Sequence, residues 1–540
     1  MPIESLRLGS YPQSAARAQK KFTIEKFLGV DFTSVPAEIS PRRSDNAVNV
    51  ISSGGCIKKR TGYQSLLYLN KEPVYGIFAW GKGQGRVHFI HVGTRLYRAD
   101  EGFSNLTLLR DNMAERQSVG VQLGGALLIL DGNRVNYYRG GMTMRYLDEA
   151  AYVPTTTISA PPSGGGIAYE KANMLTGRRV NTFLSDGTST EYYLDQKNIA
   201  SVNEVAVMDE YGEWEVLGYG RDYSINLLAG TVVFAGSYLP PASPVAGEDN
   251  VRITFTVREE LKSSVNGCTI AALYGYNGNC NRIFFSGNAA QANMDWYSAV
   301  NEPTYVPNNF AVIGQETAPI VAYSRMADGR LCIHKASTDT DKTVYFRTSA
   351  LYDGEEIFPL SEGGRAEGCV NAHCNAVLSN DTLFLSRRGV CALIEKSDIN
   401  TNHYAYLRSY YVNERLLKED FSCAAAIVYQ DRYYLTAGGS VYVADARYIS
   451  KERDDVSSYQ YEWYYWQGLN ATCWYAGEDR LYFGTMDGRV CMMRKEGAAD
   501  AYYDDDEPVY ARWETPYLDL GEPALAKTVK KVIAAASLPV

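Results

Sequence analysis

RYYLTAGGSVYVAD (Arg432–Asp445) and RLYFGTMDGRVCMMR (Arg480–Arg494) are two copies of one phrase. Each has an apolar, β-rich run, a Gly-containing turn and a second run with aromatics, which reads as a hairpin. Five more copies occur elsewhere in the chain. They are RVHFIHVGTRLYRAD from Arg86, ALLILDGNRVNYYR from Ala126, RIFFSGNAAQANMDWYS from Arg282, RLCIHKASTDTDKTVYFR from Arg330 and TLFLSRRGVCALIE from Thr382. The starts lie 40, 156, 48, 52, 50 and 48 residues apart. All but one of these spacings match a four-stranded propeller blade, about 40–50 residues. A lone hairpin cannot bury its apolar face, so the copies must stack. The amphipathic helices of a TIM barrel or Rossmann fold are missing, and the clearest helical candidate is short, Val412 to Asp420. The expectation is an all-β chain: a β-propeller of about seven blades, one more or fewer being compatible.

The spacing of 156 marks an insertion of roughly 106 residues once one blade is subtracted. It opens at TTTISAPPSGGG (Thr155–Gly166), which reads as a linker, and ends near Glu259–Asn266. Between them RRVNTFLSDGTSTEYYL, NEVAVMDEYGEWEVL, RDYSINLLAGTVVF and NVRITFTV alternate with DG, YG and AG turns, as in a small β-sandwich. The expected division is residues 1–73 as an N-terminal arm and docking segment, 74–150 as the first blades, 151–266 as the inserted all-β domain, 267–500 as the remaining blades, and 501–540 as a C-terminal β segment. TVKKVIAAASLPV at the end reads as a strand that pairs elsewhere, or as a chain that runs on beyond residue 540.

Composition narrows the function. With 46% hydrophobic and 21% charged residues the bulk of the chain folds. No apolar run reaches the length of a membrane-spanning helix, and the first residues have no apolar core of a secretory signal. Net charge is −9, which excludes a general nucleic-acid binder. The charge is uneven: residues 1–60 carry +5 and the remainder −14. The basic segment is either a solvated arm or one that docks on an acidic partner. The ten Cys include no C-x-x-C pair and point to reduced, intracellular folding.

Chemical signatures are sparse. There is no P-loop, H-E-x-x-H or G-x-S-x-G string, and the Gly81, Gly83, Gly85 cluster opens no helix. Of the five His, His88 and His91 lie three apart on one strand, so they face opposite sides, a poor geometry for chelation by both that favours a structural or surface role. Cys369, His373 and Cys374 form only a partial metal set. A propeller glycosidase needs paired carboxylates, or a Tyr nucleophile with an acid. No S-x-D-x-G-x-x-W box occurs, and Asp328, Asp381, Asp431, Asp479 and Asp487 read as turn residues. The Tyr-rich stretches, above all YQYEWYYWQG (Tyr459–Gly468), read either as a sugar-stacking platform or, preferably, as blade packing and subunit interface. No catalytic, cofactor-binding or metal-binding residue is assigned, and no cofactor is expected.

One stretch resembles a known family. KFLGVDFTSVPAEISPRRSDNAVNVISSGGCIKKRTGYQSL (Lys26–Leu66) is similar to the opening of phage tail hub, tail nozzle and packaged-DNA stabilisation proteins. The matching positions are Phe27, Gly29, Val30, Asp31, then Ser40, Pro41, Arg43, Asp45, Ala47, Asn49, Val50, and finally Lys59, Arg60, Gly62, Tyr63. RIFFSGNAAQANMDWYSAVNEPTYVPNN (Arg282–Asn309), TLFLSRRGVCAL and EWYYWQG resemble further stretches of the same family, and RDYSINLLAGTVVF resembles a β-module of phage structural proteins. The resemblance implies a non-enzymatic, structural virion protein of the tail, assembled in the host cytoplasm as a homo-oligomeric, hexameric ring. Implied partners are the portal or adaptor, fibres or other tail proteins, and genomic DNA passing through without sequence-specific binding or membrane insertion. The alternatives are a receptor- or glycan-binding propeller and, second, a propeller glycosidase.

Overall fold

The computed structural model describes residues 21–209, 211–258, 261–338, 341–364, 367–395, 403–450, 459–520 and 526–536. Seven four-stranded antiparallel sheets are present among them, and each of the seven repeated phrases forms the two middle strands of one sheet. The innermost strands are Val74–Trp80, Val119–Leu123, Ile270–Tyr274, Ile320–Arg325, Ala376–Leu378, Ala425–Tyr429 and Ala471–Ala476. Each adjoins the next around a circle, and the last meets the first. The chain is therefore a seven-bladed β-propeller, blades 1 to 7 in that order.

The middle strands are largely apolar because both faces are covered. Ala126–Leu130 and Asp381–Ser386 are buried along their whole length. Neighbouring sheets share cores, such as Leu128 and Leu130 of blade 2 with Ile283, Phe285 and Trp296 of blade 3. Side chains also bridge blades: Thr472 Oγ donates to the Val74 carbonyl at 2.6 Å and Thr436 Oγ to the Ala471 carbonyl at 2.6 Å.

Two sequence readings are corrected. Residues up to 73 lack the repeated phrase and read as an arm, yet Tyr63–Tyr68 forms the outermost strand of blade 7, pairing with Arg489–Met493. An outer strand has only one neighbour, so it needs no partner phrase beside it in sequence. This pairing fastens the N-terminal segment to the last blade and closes the circle. The stretch Thr155–Gly166 is not merely a linker either: Thr155–Ala160 is a strand parallel to Arg178–Phe183. Its β-branched TTTI half outweighs the turn residues that follow.

The insertion between blades 2 and 3 comprises a six-stranded and a three-stranded sheet. They enclose one core, in which Phe183, Val205, Ile253 and Phe255 meet Tyr192, Val232 and Phe234, as a sandwich requires. The insertion is anchored by Met174 and Leu175, buried in the core of blades 2 and 3. Asn173 Nδ2 adds hydrogen bonds to the Tyr152 and Thr304 carbonyls at 2.8 Å. The expected helix shrinks to a turn at Tyr410–Val412 and one helical turn at Asn413–Leu416. Of TVKKVIAAASLPV, read as a strand, residues 528–536 pair with no described strand, and residues 537–540 lie outside the described residues.

Candidate functional site: a clasp and a plugged axis

Residues 26–63 wrap the outer edges of blades 6 and 7, and the charged and close-packed positions of the family-like opening act there. Gly29 lies so close to blade 6 that a Cβ would sit 2.2 Å from the Trp463 carbonyl oxygen. That oxygen accepts from the Val30 N–H at 2.8 Å, and Glu462 accepts from the Gly29 N–H at 2.9 Å. Arg43 donates two hydrogen bonds to the Glu462 carboxylate, both 2.7 Å, with its guanidinium 3.7 Å from the Tyr411 ring centre. Both partners are 3% exposed, so the fork–carboxylate geometry is held without water. Asp31 accepts from the Ser34 N–H at 2.9 Å and shapes the turn.

The second half of the segment seals blade 7. Asn49, in the left-handed region, accepts from Arg60 Nε at 2.9 Å and from the Gln467 N–H at 2.8 Å. Arg60 is fully buried and reaches Asp504 at 2.6 Å. A Cβ at Gly62 would lie 1.8 Å from the Tyr503 carbonyl oxygen. Lys58 pairs with Glu496 at 2.7 Å. Three basic residues of the segment, read either as a solvated arm or as one docking on an acidic partner, thus find their acids inside the same chain, Arg60 in the run Asp504–Glu507. Arg7, Arg17 and Lys20 lie outside the described residues.

The propeller axis is filled at one end. Gln117, leading into blade 2, donates to the Thr472 carbonyl of blade 7 at 2.8 Å and to the Ala424 carbonyl before blade 6 at 3.3 Å. Its Oε1 accepts from Asn371, before blade 5, at 3.2 Å. One side chain therefore ties blades 2, 5, 6 and 7. Beside it, Phe78 lies over Gly76 and Gly120; a Cβ at Gly120 would meet its ring at 2.3 Å. A cavity of ≈ 250 Å³ remains, lined by Phe78, Ser118, Gly120, Ala271, Tyr323 and His373. A second of ≈ 350 Å³ lies outside, between blades 3 and 4, lined by Tyr297, Asn308, Phe310, Arg347 and Phe358. Neither is lined by Asp or Glu, which a glycosidase needs.

The residues singled out for chemistry have structural partners. His88 stacks on Phe103, while His91 on the opposite side engages Ser118 Oγ at 2.9 Å and the Gly93 carbonyl at 3.0 Å. Burial holds both imidazoles down to about 4. It holds His334, 2.9 Å from Ser324 Oγ, down to about 3. Burial, with Arg116 nearby, lowers His373 to about 4. Burial pushes the Cys369 thiol up to about 12 and Cys374 well above its usual range, which disfavours the thiolate that metals bind. All ten Cys are free, and no metal-competent cluster of His, Cys, Asp or Glu occurs among the described residues. The side chain of His403 lies outside them.

Tyr461, Trp463, Tyr464, Tyr465 and Trp466 are buried, so this run packs blades and offers no stacking platform. Asp328 is the turn residue expected, accepting from the Arg330 N–H at 2.9 Å. Asp381 is not: it is buried against Arg408 at 2.9 Å, Tyr459 at 2.5 Å and Tyr461 at 2.9 Å, joining blades 5 and 6. Sequence reasoning also missed the buried Arg347–Asp295 pair, 2.6 Å, between blades 4 and 3, and the Lys335–Asp341 pair. A signal existed, since Asp295 and Lys335 are charges inside apolar strands. Gln117 had none.

No known family and no curated protein matches the sequence. Among solved structures, a protein described as YCF48 bound to D1 peptide aligns with 83% of this chain and 97% of its own at 7% identity and a TM-score of 0.35. BamB from Moraxella catarrhalis covers 84% and 95% at 9% identity and 0.33. Virginiamycin B lyase from Staphylococcus aureus covers 80% and 99% at 8% identity and 0.28.

Proposed function

We infer that this chain is a structural, non-enzymatic subunit of a phage tail, acting in a homo-oligomeric hub or nozzle ring that walls the DNA conduit and docks adaptor or fibre proteins. The observation that carries this reading is the clasp. Two phrases that carry the family resemblance, Lys26–Leu66 and EWYYWQG, lie some 400 residues apart in the chain. They meet through Gly29, Arg43 and Asn49 on one side and Glu462, Trp463 and Gln467 on the other. Two matching phrases that also pack as one unit are better support than either alone.

The electrostatics suit the role. A conduit that gripped phosphates with many Lys and Arg would impose a strong, salt-dependent drag on DNA. The −14 carried by residues 61–540 favours passage instead. Gln117 and Phe78 occupy the propeller axis, so in this reading DNA runs between copies and not through a propeller. Antibody labelling of intact virions tests the assignment: decoration of a tail ring beneath the portal is expected, and decoration only of the head or only of fibre tips would overturn it.

A further inference from the structure

One surface is left open where the clasp covers another. Blade 4 carries an extra hairpin, Ala350–Tyr352 with Glu355–Ile357, projecting from its outer edge beside the seam with blade 3. It exposes Leu351 and Tyr352, at 53% and 72%, around the acidic tip Asp353 and Glu355. Phe310 and Val312, on the outer strand of blade 3, are exposed next to the ≈ 350 Å³ cavity. The outer strands Phe310–Val312 and Leu360–Glu362 each pair on one side only among the described strands. An apolar, one-sided edge is a template for an added strand.

The chain also holds a segment with the complementary character. Residues 526–536 are exposed throughout, with Val529, Val532 and Ile533 at 64%, 82% and 77%. The stretch Ala526–Ile533 is β-branched and carries Lys527, Lys530 and Lys531 with no acid. A basic, strand-forming tail and an acidic, apolar rim match in charge and in side-chain type. The tail follows Glu514, whose carbonyl is held by Ser44 Oγ at 2.6 Å beside blade 6. The rim lies at the seam of blades 3 and 4. Two different patches in contact make a head-to-tail interface, the kind that closes into rings.

We propose that residues 526–533 of one copy add as a strand to the blade 3–blade 4 rim of a second copy, with Lys530 and Lys531 flanking the acidic tip Asp353 and Glu355 from the two faces of the strand and an apolar side chain entering the cavity beside Phe310. The proposal rests on the ring reading only for the supply of a second copy.

The test places a photocrosslinking amino acid at Tyr352 of the full-length chain and mixes it with a full-length copy carrying an affinity tag, while native mass records assembly. Adducts on residues 526–533 of the tagged copy are expected. The yield falls at least about fivefold with Asp353→Lys/Glu355→Lys and recovers when the tagged copy carries Lys530→Glu/Lys531→Glu. An assembled ring without tail adducts, adducts on any other segment, or adducts confined to the same copy overturn the proposal and leave the ring reading intact. Tail adducts without a closed ring support the proposal and count against that reading. A monomer without adducts defeats both.

Discussion

Residues 26–63 and residues 526–536 are both basic segments with apolar residues, yet they end in opposite states. The first buries two of its charges against its own chain: Arg43 on Glu462, Arg60 on Asp504. The second keeps Val529, Val532 and Ile533 in water. The difference lies in partners. The clasp segment has Gly29 and Gly62 at two close backbone approaches, and an acid waiting for each buried arginine. Lys530 and Lys531 meet no such acid among the described residues. Net positive charge in a terminal segment therefore does not by itself mark an intermolecular arm; what matters is whether its own chain carries the complement.

The sharpest way to break the clasp is Arg43→Ala. It leaves Glu462 buried and unpaired, and a loss of about 3–5 kcal/mol in denaturant unfolding is expected. Replacing both partners, Arg43→Met with Glu462→Leu, is expected to recover most of that loss, because the buried charge goes with its partner. Acid attacks the blades through buried histidines. His88, His91 and His334 are neutral in the fold, with values lowered to about 4, 4 and 3. The unfolded chain takes up their protons near pH 6.5. Below that pH the unfolded state binds more protons, so stability falls as pH drops from about 6.5 to about 4. The slope is up to about 1.4 kcal/mol per pH unit for each imidazole, and unfolding titrated across that range measures it.

Smaller effects refine the picture. Gly29→Ala forces the segment off Trp463 and is expected to cost about 1–3 kcal/mol. Gln117→Leu removes the plug's hydrogen bonds to the Thr472 and Ala424 carbonyls and from Asn371, for about 1–3 kcal/mol. Ile533→Ser in the exposed tail is expected to change unfolding by less than about 0.5 kcal/mol. A larger loss would mean that the tail packs on its own subunit.

The seven hairpin phrases were legible because middle strands buried on both faces must be apolar on both, and that pattern repeats. The insertion was legible as a break in the period. Tyr63–Tyr68 was not, because an outer strand far from its blade in sequence carries no repeat. The clasp residues were legible only as a resemblance: nothing in Arg43 or Arg60 says that the acids lie some 400 residues away. Asp381 misled because it stands beside a turn in sequence, while its side chain enters the blade 5–blade 6 seam.

Self-assembly is tested most directly by the native mass of the purified chain. A closed ring, hexameric by the family resemblance and weakened by high salt, is the predicted result. A monomer persisting at every concentration and ionic strength would contradict it.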